Sequence, residues 1–249
     1  MGHRVPIQGG FHLTQSGARP IQEDHVLTHA ERGIWAVADG FGGQGAGDVA
    51  AKTACESVQS FLEKEAGDED ATLPFEIRQY FSLAGNVLFN ALIHANRQVL
   101  TLNKNKSANE KGGASLLAAY LDGDLLALSQ VGCTQAHLFR GDQRRELVIP
   151  KSYSRLVDPM ENSSLYQAPL MAIGITSDLE PEVSEIRVRK GDFVVLATDG
   201  LGAAGLEQIA AYHRQWQSGS PLALVLDQAF QKLKSQGYDD NMALILLAF

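Results

Sequence analysis

The sequence predicts an α+β fold built on antiparallel sheets. Two observations carry this: apolar strands follow one another through tight glycine-bearing turns, and the helices fall in groups after strand clusters. The regular strand–helix–strand alternation of a parallel sheet is missing. With no internal repeats, low-complexity segment or linker, residues 1–249 are expected to form one domain.

Phe11–Thr14, His25–His29 and Ile34–Ala38 read as strands. From Ala46 to Glu65 the positions Val49, Thr53, Ala54, Val58, Phe61 and Leu62 recur at helical spacing. Gly67-Asp68-Glu69-Asp70 breaks that helix, and Pro74 suits the first turn of the next. There Ile77, Phe81, Ala84, Leu88, Ala91, Ala95 and Val99 trace one face. Asn103–Gly113 is a polar loop. Ala114–Leu121 and Asp124–Val131 form a hairpin around Asp122-Gly123, and Gln135–Arg140 and Arg144–Ile149 form another around Gly141-Asp142. Lys151–Pro181 has little periodicity, and its length suggests a substrate-facing flap or a surface insertion. Val183–Val188 and Phe193–Thr198 are expected to pair around Lys190-Gly191-Asp192. Helices over Leu206–Gln217 and Leu222–Ser235 precede a buried last strand, Met242–Phe249.

Composition narrows the function. The formal charge is −8 and no Lys/Arg stripe exists, which argues against a nucleic-acid partner. No apolar stretch approaches the ~20 residues of a membrane span, and the N-terminus lacks a signal-peptide core. Cys55 and Cys133 have no metal-type spacing and suit a reduced, cytoplasmic protein. The seven histidines show no ligand spacing. His25, His94 and Trp35 read as structural.

Chemistry-bearing residues gather where apolar runs end. Ile34–Ala38 terminates in Asp39-Gly40, Val194–Ala197 is followed by Thr198-Asp199-Gly200, and Asp239-Asp240-Asn241 precedes the last strand. A lone Asp-Gly is usually a turn. Two of them at strand ends, plus an acidic pair whose repulsion a cation would relieve, suit a site for a hard, oxygen-seeking metal. Arg19, four residues before Glu23, offers a planar fork suited to phosphate oxygens.

The segments Arg19–Asp24, Val37–Gly43, Gly112–Ser115, Ala197–Leu201 and Asp240-Asn241 resemble, in order and spacing, the motifs of bacterial-like PP2C-type (PPM family) serine/threonine protein phosphatases. The resemblance covers essentially the whole chain. It implies a four-layer α-β-β-α sandwich of two antiparallel sheets flanked by helices. It also implies hydrolysis of phosphoserine and phosphothreonine at a binuclear Mn²⁺ or Mg²⁺ centre. By position, Asp39 would bridge both ions, the Gly40 carbonyl would bind one, Asp199 and Asp240 would complete a shell, and Asp24 would act through water. Arg19 would hold the phosphate, with Glu23 and Asn241 supporting. The implied partner is a phosphorylated protein, a Ser/Thr kinase pathway is the implied setting, and a monomer is expected.

Three positions depart from the family pattern. Phe41 stands where many members carry a proton-donating histidine. Cys133 and Ala203 stand where carboxylates of a third metal site are common, and a thiolate favours softer ions. Two ions are therefore expected and a third is doubtful. The alternative is a pseudophosphatase that binds a phosphoprotein or regulator without efficient turnover. A third reading, dinucleotide binding through Gly40-Phe41-Gly42-Gly43-Gln44-Gly45, is disfavoured because Asp39 would face the pyrophosphate and the later hairpins break a parallel pattern.

Overall fold

Successive residues of a strand face opposite sides, and in several strands of this chain both sides are buried. On β3 (Ile34–Gly42), Ile34, Ala36 and Ala38 face one core while Trp35 and Val37 face another. On β9 (Phe193–Ala197) and β10 (Met242–Ala248), Val194, Leu196, Ile245 and Leu247 join Trp35 and Val37, while Phe193, Val195, Leu244 and Leu246 face a third. Three cores imply four layers. The computed structural model, which describes residues 5–65, 77–153 and 168–249, has that arrangement.

One sheet runs β1–β10–β9–β6–β7, with β1 Gly9–Gln15, β6 Gln135–Arg140 and β7 Gln143–Val148. The other runs β2–β3–β4–β5–β8, with β2 Asp24–His29, β4 Gly112–Asp122, β5 Leu125–Val131 and β8 Glu182–Arg187. All pairings are antiparallel. Helices α1 (Ala46–Glu65) and α2 (Leu83–Asn103) cover the second sheet. Helices α3 (Gly202–Gln217) and α4 (Leu222–Ser235) cover the first. The predicted α+β sandwich is the observed fold. No helix among the described residues is long and apolar enough to cross a membrane.

Several expectations need correction. Val183–Val188 and Phe193–Thr198 do not pair: β8 lies against β5, and β9 lies between β10 and β6. The turn at Gly191 (φ 93°) instead carries the chain from one sheet to the other. Its anchors are long-range, with Val188 N–H donating to Asp124 O at 2.9 Å, Gly191 N–H to Phe249 O at 2.7 Å, and Arg140 holding the Asp192 carboxylate at 2.6 and 2.8 Å. The two central hairpins likewise belong to different sheets, joined across Gly132-Cys133-Thr134.

Helix α2 begins at Leu83, later than the pattern from Ile77 suggests. Ser82 caps it, its hydroxyl accepting from Gly85 N–H at 3.1 Å, and the Asn86 side chain ties down the preceding turn through Arg78 N–H and the Arg78 and Phe81 carbonyls. The break at Gly67–Asp70, the Pro74 start and residues 154–167 of the irregular stretch lie outside the described residues. On α1, Val49 is exposed rather than part of the apolar face, which is made by Ala50, Ala51, Ala54, Cys55, Val58 and Leu62. The small side chains in its first turns let the helix lie close on β3 and β4.

Candidate active site

The β2–β3 register sets Asp24 directly opposite Asp39, and β3–β4 sets Asp39 opposite Ser115. These come from one sheet. From the other, Thr198 and Asp199 follow β9, and Asp240 and Asn241 precede β10. Antiparallel pairing of β9 with β10 makes these two ends neighbours, and Gly200 lies so close to the Asn241 carbonyl that a Cβ would not fit. Acidic strand ends from both sheets thereby reach one edge of the sandwich.

Specific hydrogen bonds lock the convergence. Thr198 Oγ1 donates to Asp24 Oδ2 at 2.7 Å and accepts from Ala243 N–H at 2.9 Å, tying β2 to β9 and β10. The Asn241 side chain accepts from Glu23 N–H and donates to the Ser16 and Ile21 carbonyls, each at 2.9 Å. That clamps the 16–23 loop to the start of β10. Arg19, carried by the loop, donates to Asp240 Oδ2 at 2.7 Å. The Gly47 N–H, in the first turn of α1, hydrogen-bonds the Glu23 carboxylate, where a helix start favours an anion.

An open cavity of about 1060 Å³ lies over these groups. Asp39, Gly40, Asp199 and Asp240 line it together with Glu23, Asp239 and Asn241, and Arg19 lines it beside them. The opposite wall comes from the described end of the irregular stretch, including Met171, Ile175 and Thr176. Asn96 of α2 holds that wall, accepting from Gly174 N–H at 2.7 Å and donating to Thr176 O at 2.8 Å. Asp24 is buried beneath the cavity.

The electrostatics are strained by like charge. Burial pushes the Asp24 carboxyl up to about 7, reinforced by Asp199 and Asp240 and opposed by the Thr198 hydrogen bond. Asp39 is raised well above the usual carboxylate range, first by burial and then by Asp199, Asp24 and Asp240. Asp199 is raised by burial and by Asp240. Glu23 is raised by burial, against the Gly47 N–H. The nearby cation is Arg19, which is exposed and leans on Asp240. Among the described residues no three His, Cys, Asp or Glu side chains stand as a ready-made metal cage. Asp240 is turned toward Arg19, and Asp24 toward Thr198. The donor set is nonetheless all hard oxygen, and divalent cations would offset the repulsion that raises these carboxyls.

Cys133 and Ala203 line no part of this cavity. Cys133 is buried in the crossing between sheets, its N–H donating to Ser115 Oγ at 3.1 Å, and Ala203 is exposed on α3. Trp35 is buried between the sheets, His25 is half-buried, and the His94 ring lies tilted against Phe61 with centroids 5.4 Å apart. Nothing in the sequence pattern marks Thr198, Gly47 or Asn96 as part of the site. Thr198 was visible only as the residue before Asp199, and the other two act through folding partners that spacing does not reveal.

The family model described as Protein phosphatase 2C matches residues 16–246. The serine/threonine protein phosphatase PstP of Mycobacterium tuberculosis is 28% identical over 191 residues, 74% of this chain. The chain matches 34% of that protein, about a third of its length. Among solved structures, the PPM Ser-Thr phosphatase MsPP from Mycobacterium smegmatis, in complex with cacodylate, is similar with a TM-score of 0.74 at 19% identity, covering 98% of this chain and all of that one. The catalytic domain of PstP in complex with two manganese ions gives 0.71 at 19% identity over 96% and 97% of the two chains. PppA of Pseudomonas aeruginosa gives 0.71 at 23% over 97% of each. At these identities the structural likeness establishes the fold.

Proposed function

The chain belongs to the protein phosphatase 2C family, and from that premise we propose that its cavity hydrolyses phosphoserine and phosphothreonine esters on proteins. The observation that carries the reading is the meeting of Asp24, Asp39, Asp199 and Asp240 from both sheets under one open cavity beside Arg19. Asp39, the Gly40 carbonyl, Asp199 and Asp240 would hold two Mn²⁺ or Mg²⁺ ions, with Asp24 contributing through water. The catalytic domain of the like-folded PstP, in complex with two manganese ions, supports the expectation of two ions. When bound, such a pair supplies activation of water and neutralisation of phosphoryl charge.

The chain's own residues do the rest. Arg19 leaves part of its guanidinium fork free of Asp240 and orients the phosphate at the cavity rim. Thr198 fixes the Asp24 carboxylate from the side away from the substrate. Asn241 keeps the Arg19 loop in register with Asp240. Phe41 has no proton to give, so the departing serine or threonine oxygen takes its proton from solvent in the open cavity.

Hydrolysis of a small aryl phosphate and of a phosphothreonine peptide, with Mn²⁺ and with chelator, tests the reading. Asp199→Asn is expected to lower turnover by more than the roughly 10–100-fold that loss of an outer-shell partner costs, and to remove the rise in melting temperature that Mn²⁺ gives the wild type. Equal rates for the two proteins would sink the enzyme reading. The second reading, a phosphoprotein binder without turnover, draws on Cys133 and Ala203. Mn²⁺-dependent stabilisation with no turnover would favour it.

A further inference from the structure

Beside the carboxylate cavity lies a second hollow of about 520 Å³, and Phe41 and Ile175 line both. Their side chains rest on the Gly113 backbone, where an added Cβ would come within 2.7–2.9 Å of them. The dividing wall is therefore packed and apolar. The hollow's floor is equally fixed. Asn103, buried at the end of α2, donates to the Gly112 and Gly174 carbonyls at 2.7 and 3.0 Å and accepts from Gly112 N–H at 3.2 Å.

The hollow's rim has the opposite charge to the main cavity. Lys104 and Lys111 line it, both exposed, and neither makes an ion pair among the described residues. Lys106 lies between them in sequence, and the one acid of this loop, Glu110, is engaged by the Ser107 N–H and hydroxyl. A protein of net charge −8 thus presents a cationic edge immediately beside the site. The main cavity itself is lined by Asp239 and by Asp240, the latter paired with Arg19.

We propose that this hollow is a substrate subsite that selects phosphoproteins bearing an acidic side chain close to the phosphorylated residue. The inference rests on the phosphatase reading for the placement of the phosphate. The aliphatic stem of a Glu or Asp lies along Phe41 and Ile175, and its carboxylate meets Lys104 and Lys111. Near Asp239 and Asp240, which line the main cavity and not the hollow, the same carboxylate would meet like charge. The preference is therefore directional: acids on one side of the phosphorylated residue help, and acids on the other side do not.

Three fluorescent phosphothreonine peptides, with acidic residues on the N-terminal side, on the C-terminal side or replaced by alanine, test this by anisotropy in Mn²⁺ buffer. One acidic peptide is expected to bind about fivefold tighter than the alanine peptide, with the margin shrinking as salt is added. Lys104→Glu/Lys111→Glu should reverse the order, and Lys104→Gln/Lys111→Gln, a milder change should the first fail to fold, should abolish it. Equal binding of all three peptides by the wild type, or a preference that survives both double variants, overturns the subsite. Wild-type aryl phosphate hydrolysis, followed in parallel, separates the two ideas. Intact hydrolysis with equal peptide binding removes the subsite alone. An acidic preference without hydrolysis removes turnover and leaves the subsite standing.

Discussion

Asn241 uses one short side chain to satisfy three backbone groups, all of them in the 16–23 loop that carries Arg19. Asn241→Ala leaves the Glu23 N–H and the Ser16 and Ile21 carbonyls without this partner in a part-buried place, a loss of about 1 kcal/mol or more. Urea denaturation should show that loss, and the KM for an aryl phosphate should rise more than kcat falls because Arg19 is no longer held. An unchanged midpoint would mean that solvent replaces all three bonds. At this scale the sequence was informative in an uneven way. A carboxylate at the end of an apolar run is visible because the run fixes where the strand stops. The partner of that carboxylate is not visible, because Thr198 reaches Asp24 only after two sheets have docked.

Elements position the site through close approach as much as through side chains. Gly40 has an ordinary backbone conformation, yet a Cβ there would run into the Gly47 and Glu23 carbonyls. Gly40→Ala must therefore push β3 away from the first turn of α1 or from β2, at a cost of about 1–3 kcal/mol. Mn²⁺ titration followed by thermal melting should show a weakened or absent metal response. A response equal to wild type would show that the Gly40 carbonyl is dispensable. The course of α1 from Ala46 is readable because Ala54, Val58, Phe61 and Leu62 recur at helical spacing. The start of α2 is not, because Ile77 and Phe81 continue the period while Ser82 and Asn86 end the preceding turn by hydrogen bonding. The Gly191 turn misled for a related reason. Glycine at positive φ permits a sharp reversal but does not determine whether the next strand joins the same sheet or the facing one.

For the whole molecule, the third core holds a titratable group that the site does not use. His213 of α3 is buried against Phe193 and Trp216, and its Nε2–H donates to Gly191 O at 2.9 Å. Burial lowers its pKa, reinforced by Arg214 and opposed by the Gly191 bond, Asp192 and Asp142. The unfolded chain therefore takes up a proton below about pH 6.5 that the folded protein resists. The stability linked to His213 is complete above that pH and is lost as the pH falls. Raised carboxyls such as Asp24 act in the opposite sense, losing stability as pH rises toward 7. Comparison with His213→Gln isolates the histidine: between pH 7.5 and 5 the wild type should lose more melting temperature than the variant. Parallel curves would exclude the linkage. The four-layer plan itself was legible, since strands apolar on both faces demand cover on both sides.

The three bonds that assemble the site join residues far apart in the chain. Asp24 and Thr198 are 174 residues apart, Glu23 and Asn241 218, and Arg19 and Asp240 221. Contacts of such separation are the last to be rewarded during folding. While the chain is being synthesised, its acidic first strands emerge long before Thr198, Asp240 and Asn241 exist to receive them. The acidic edge is consequently completed only once Asp240 and Asn241 have been made, and a ribosome-bound fragment that stops short of Asp240 lacks both the Arg19 ion pair and the Asn241 clamp.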